Sequence, residues 1–97
     1  MTAEPRLCVD QLKPDGRRAR ILRLLRERPQ SLNDLVRAYP ADEGARRKIE
    51  RIRIGHAVRD MRRAGWIARW EDALTLTLGG LKALETLDRR QEHRDAA

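Results

Sequence analysis

The chain predicts a mainly α fold with a small β-hairpin (α+β), in the order α-α-α-β-β-α, and three observations carry that prediction. Apolar residues recur at helical spacing in stretches closed by Pro29, Pro40 and Gly65. An arginine-studded helix, Arg51 to Ala64, stops at Gly65 and is followed by strand-like runs either side of Glu71-Asp72. Within the second run Leu74, Leu76 and Leu78 alternate with Thr75 and Thr77, the period of two that belongs to a strand with one buried face.

The elements follow in order. Residues 1–14 lack a clear period and carry Pro5 and Pro14, so they read as an extended arm whose Leu7, Val9 and Leu12 tuck onto the domain. Asp15 is placed to cap a helix over residues 17–28, in which Ile21, Leu22, Leu24 and Leu25 form the apolar stripe and arginines fill the remainder. Ser31, with an acid three residues later at Asp34, starts a second helix carrying Leu32, Leu35, Val36 and Tyr39, and Pro40 ends it. Over residues 42–53, Ala45, Ile49 and Ile52 share a face rotated away from that of Ile54, Ala57, Val58 and Met61. That rotation predicts a short linking helix or bend before the main third helix, with Gly55 as a weak point. Gly65 is a natural residue to follow a helix end, Trp66–Trp70 and Ala73–Leu78 make the hairpin, and Thr77 caps a last helix beginning near Gly79. The domain therefore spans 15–88, and 89–97 form a frayed charged tail.

Composition narrows the function. Among 97 residues, 22 are Lys or Arg and 15 are Asp or Glu, a net charge of +7 that favours a polyanionic partner. Nearly all of the cations are arginines, with lysine only at Lys13, Lys48 and Lys82, and arginine forms bidentate pairs with phosphate and guanine edges. A GC-rich genome would enrich arginine as well. Cys8 is the only cysteine, which excludes an internal disulfide and a cysteine zinc site; no run of residues is apolar enough for a membrane span and no signal peptide is legible, so a cytoplasmic protein is expected. The acids are scattered with no spacing that converges two carboxylates and a lysine, and no glycine-rich phosphate loop is present, so neither an enzyme nor a cofactor is expected.

This order of elements is the winged helix-turn-helix layout. Three stretches, Arg51-Ile52-Arg53-Ile54-Gly55-His56-Ala57, Met61-Arg62-Arg63-Ala64-Gly65-Trp66-Ile67 and Leu76-Thr77-Leu78-Gly79-Gly80, also resemble the N-terminal winged-helix module of Mrr-type restriction endonucleases. That family usually has an aromatic residue at the position of His56 and a leucine at that of Met61. The resemblance implies the winged-helix fold and DNA binding, while cleavage in that family belongs to a separate nuclease domain.

The third helix supplies the site candidates. With Val58 at the centre of its buried face, Arg53, His56, Asp60 and Arg63 fall on the opposite side and Arg59 on a flank, with Arg51 one turn earlier. A helix entering the major groove would use these for base edges and phosphates; a solvated charged face is the plainer reading. Asp60 accepts from a cytosine amine or orients Arg63. His56 is not expected to hold a metal, since the only other histidine lies in the tail. On the hairpin Arg69 contacts phosphate, and Trp70 either stacks on the nucleic acid or belongs to the core. Arg17 and Arg18 hold the far phosphate backbone or simply face water. Leu81, Leu84 and Leu87 cover the core or, alternatively, form a homodimer seam.

The expected function is that of a prokaryotic or phage transcriptional regulator binding double-stranded DNA. The alternative is a winged helix docking on an acidic protein partner, as a phage-encoded inhibitor or assembly adaptor would. RNA binding is disfavoured because Trp66, Trp70 and Tyr39 offer few stacking surfaces.

Overall fold

A computed structural model describes residues 7–38 and 45–95. Four helices surround one core: α1 (Arg17–Glu27), α2 (Leu32–Ala38), α3 (Ala45–Arg63) and α4 (Leu78–Asp95), with strands β1 (Ile67–Trp70) and β2 (Ala73–Leu76) between the last two. The predicted order of elements is present. Pro5, Tyr39, Pro40 and the start of the expected linking segment at Asp42 lie outside the described residues.

Before α1 a single 3-10 turn (Val9–Gln11) sets Leu12 into the core, with Leu7 and Val9 packed partly against it. The N-cap of α1 is Gly16 and not Asp15, because a turn closed by Gly16 N donating to Lys13 O (3.0 Å) leaves Gly16 extended, and its carbonyl accepts the first helical bond from Arg20 N (3.1 Å). Ile21, Leu22 and Leu25 bury the expected stripe, and the helix gives way at Arg28, ahead of Pro29.

Ser31 starts α2 as predicted. Its Oγ accepts from Asp34 N (3.1 Å) while an Asp34 carboxylate oxygen accepts from Ser31 N (3.1 Å), a reciprocal pair that satisfies two donors at the helix start. These bonds, first the one from the Ser31 backbone, hold the Asp34 carboxyl below its usual range.

The third helix departs from expectation. Residues 45–63 form one continuous helix, with no break at Gly55. The bend was expected in order to bury a second apolar face, yet Ile49 and Ile52 stay 46% and 59% exposed. Ile54, Ala57, Val58 and Met61 form the buried apolar face of α3, and burying them outweighs the roughly 1 kcal/mol that one helical glycine costs.

At its end α3 closes in a Schellman motif. Gly65 takes φ +81°, Gly65 N donates to Arg62 O (3.0 Å), and Trp66 N donates to Met61 O (2.9 Å). The chain then turns into β1, which pairs antiparallel with β2 in the register Ile67 with Leu76, Arg69 with Leu74 and Trp70 with Ala73. β2 stops at Leu76, two residues short of the predicted Leu78, because Thr77 already caps α4: Gly80 N donates to Thr77 Oγ1 (3.0 Å). Leu78 is consequently exposed rather than on the buried strand face.

A third chain segment joins the sheet. Gln30 N donates to Leu74 O (3.1 Å) and Leu74 N to Gln30 O (2.8 Å), so the link between α1 and α2 borders the hairpin, as in a winged helix-turn-helix. The buried Gln30 side chain donates to Leu24 O (2.7 Å), satisfying a carbonyl near the end of α1.

The last helix corrects one reading. It continues through Asp95, across the stretch expected to fray, and Arg90 pairs with Asp10 (2.6 Å). Leu84 and Leu87 are 0% and 3% exposed within this one chain and Leu81 is half-buried, so these leucines cover the core, the first of their two readings.

Candidate nucleic-acid interface

Nineteen arginines would say little if all were solvated alike, but the fold sorts them. Those of α1 are engaged within the chain. Arg17 spans to Glu50 of α3 with both carboxylate oxygens in reach (2.9 and 3.1 Å), and Arg18 reaches Asp60 (3.5 Å). Arg20 donates to Ala38 O (3.1 Å), Arg23 pairs with Asp88 (3.2 Å) and Arg26 with the same carboxylate (3.6 Å). Arg17 and Arg18 therefore tie α1 to α3 through Glu50 and Asp60.

The same bonds dispose of the acids on α3. Glu50 and Asp60 are the only carboxylates in Ala45–Arg63, and both reach α1, Glu50 lying also 3.7 Å from Arg53 on its own helix. Asp60 pairs with Arg18 (3.5 Å). What α3 presents to solvent is cationic: Arg47, Lys48, Arg51, Arg53, Arg59, Arg62 and Arg63 are all exposed. His56 is exposed among them, with its Nδ1 3.4 Å from Arg59 Nη2. Of the predicted set, Arg53, His56, Arg59 and Arg63 lie away from the buried Ile54, Val58 and Met61, whereas Arg51, seven residues before Val58, is exposed on the Val58 side of the helix.

Two hollows flank this surface. Between α1 and α3 lies a cleft of about 390 Å³ bordered by Lys13, Arg17, Arg18, Arg53, His56 and Asp60. Between α3 and the hairpin lies a groove of about 320 Å³, with Val58 and Leu74 at its base and Arg59, Arg62, Arg69 and Asp72 along its sides. Arg62, which sequence reasoning did not select, belongs to the site through this groove; its spacing of three from Arg59 on one helix was the available signal. A helix with its side chains is about 10–12 Å across, which fits a B-DNA major groove of about 12 Å.

The hairpin divides its two faces. Ile67 and Leu74 are buried beneath, and Arg69, on their side of β1, points along the α3 groove with its Nε donating to Glu71 O (3.2 Å). Ala68 and Trp70 occupy the outer face, and Trp70 is 72% exposed. The two readings of Trp70 resolve in favour of a solvent-facing indole, whereas Trp66 is core. Glu71 and Asp72 form the tip, with Glu71 at φ +55°.

Other chemistry finds little support among the described residues. No three His, Cys, Asp or Glu side chains converge to hold a metal, and no helix is long and apolar enough to cross a membrane. No protein-family model, curated protein or solved structure matches the chain.

Proposed function

We propose that this protein binds duplex DNA through α3 and the hairpin and acts as a prokaryotic or phage transcriptional regulator, by occupying a site and not by chemistry. The observation that carries this reading is the segregation of charge on α3: both of its carboxylates are tied back to α1, and every exposed ionisable side chain described on its outer surface is cationic or His56. A surface of that kind, bordered by a groove that Arg62 and Arg69 line, matches a phosphate-lined trough. With about 4 to 6 phosphates engaged, log affinity falls against log salt with a slope of roughly −4 to −5. Titration of fluorescent random-sequence and genomic duplexes at about 50 and 200 mM salt, with Arg53→Glu, Arg63→Glu as control, tests it. Binding that weakens with salt and is lost in the double variant supports the reading; no binding at the lower salt defeats it.

A second reading rests on the hairpin tip. Trp70 stands exposed beside Glu71 and Asp72, and two carboxylates repel phosphate, so this end suits a protein surface better than DNA. In that reading the basic α3 docks on an acidic protein partner, as an inhibitor or assembly adaptor would, and co-purification of a protein that depends on Trp70 and Arg63 is the outcome that distinguishes it.

A further inference from the structure

The outer surface of α3 is not uniformly charged. In its N-terminal half, one turn apart, Ile49 and Ile52 are exposed between cations at helical spacing, Lys48 four residues before Ile52 and Arg53 four after Ile49, with His56 one turn on. Exposed isoleucines gain nothing from water, and these two do not contribute to the core that anchors the helix. We propose that Ile49 and Ile52 read thymine C5-methyl groups in the major groove, which rests on the DNA-binding reading above and adds to it the base that is recognised.

Chemistry and position select this occupant. The thymine methyl is the one apolar group on the major-groove edge of a base pair, and apolar side chains are what contact it. In helix-turn-helix recognition the N-terminal residues of the inserted helix meet the base edges, and Ile49 and Ile52 lie in the N-terminal half of α3, whereas Arg62 and Arg63 end it beside the hairpin. Their separation along the helix axis, about 4.5 Å at 1.5 Å per residue, compares with a base-pair rise of about 3.4 Å, so the two side chains address neighbouring steps. A second copy of this chain would also cover an apolar pair. It would, however, press two sets of Lys48, Arg53 and Arg59 together, and the nearest carboxylate, Glu50, is already shared between Arg17 (2.9 Å) and Arg53 (3.7 Å). The surrounding charge calls for a polyanion that carries methyl groups, which duplex DNA is.

The test removes the methyl and nothing else. A duplex selected by the protein from a random pool is synthesised with thymine and again with uracil at every thymine position, and both are titrated at the same salt. The thymine duplex should bind tighter by about 4-fold for each methyl contacted, the equivalent of about 0.8 kcal/mol. In Ile49→Ala, Ile52→Ala, which keeps the helix and withdraws the side chains beyond Cβ, the two duplexes should bind alike. The salt slope and circular dichroism of that variant should match those of the parent protein. Equal binding of thymine and uracil duplexes by the parent protein overturns the methyl reading while leaving DNA binding intact. Absence of any duplex binding overturns both, and a concentration-dependent dimer that the double variant abolishes assigns the pair to self-association instead.

Discussion

Arg17 and Glu50 are joined by two hydrogen bonds of 2.9 and 3.1 Å across 33 positions of chain, and this pair fixes the N-terminal half of α3 to the start of α1. Both side chains are largely shielded, so their coupling exceeds that of a fully solvated pair. A double-mutant cycle of Arg17→Met and Glu50→Gln should return a coupling of about 1 kcal/mol in thermal or urea unfolding. Arg17→Met should lower stability more than DNA affinity, and Arg63→Ala should do the reverse. A larger affinity loss from Arg17 than from Arg63 would return Arg17 to the interface.

The groove between α3 and the hairpin makes its own prediction. Arg62 and Arg69 line it from opposite sides, and neither is among the buried residues that hold the fold. Arg62→Ala and Arg69→Ala should each reduce the magnitude of the salt slope by about 1, uniformly across DNA sequences, as a lost phosphate contact does. Thermal midpoints should stay within error of the parent protein. A sequence-dependent loss would instead assign that arginine to a base edge.

Three glycines predict opposite signs under one substitution. At Gly55 a Cβ meets no atom within 4 Å, so Gly55→Ala should stabilise α3 by about 1 kcal/mol through helix propensity alone. Gly65 sits at φ +81°, and Gly65→Ala should destabilise by about 1 kcal/mol. A Cβ at Gly80 would overlap the Trp66 carbonyl and a Leu76 methyl, and neither the backbone nor the sheet can yield there, so Gly80→Ala should be the most damaging of the three. At a few degrees of thermal midpoint per kcal/mol in a domain of this size, calorimetry separates all three. A fall in stability for Gly55→Ala would mean that α3 needs a bend there.

What the sequence made legible was local chemistry. Ser31 with Asp34, Gly65 after Arg63, and Thr77 before Gly80 each act through bonds spanning a few residues, and each was placed from residue type and spacing. The alternation of the hairpin was equally local. What escaped notice depends on partners far along the chain: Gln30 pairs with Leu74, Arg18 with Asp60, and Gly80 is required by Trp66. No spacing rule announces these. The bend expected before the main third helix is absent for a related reason: the rotation of the Ile49 and Ile52 face from that of Ile54 and Val58 does not show whether anything in the fold lies opposite it, and both isoleucines are exposed. On the candidate interface, the exposure of Arg53, His56, Arg59 and Arg63 followed from helical phase, while the surroundings of Arg17, Arg18 and Arg62 required knowing which acids and which hairpin residue stand opposite them.

The capping pair at the start of α2 predicts a pH effect whose sign is fixed. Hydrogen bonds from Ser31, reinforced by the charges of Arg37 and Arg28, lower the pKa of Asp34 in the folded protein below its ordinary value of 3.8. The folded state therefore releases this proton more readily than the unfolded chain. The pair contributes its full stability above the unfolded pKa, and that contribution is lost as pH falls from about 4 through the depressed folded value. Thermal midpoints of the parent protein and of Asp34→Asn should therefore differ by a constant amount at neutral pH and converge below about pH 4. Ser31→Ala should remove the hydroxyl acceptor for Asp34 N and lower stability by about 1 kcal/mol at neutral pH. A gap between parent and Asp34→Asn that widened in acid would show that Asp34 is not held by Ser31 in solution.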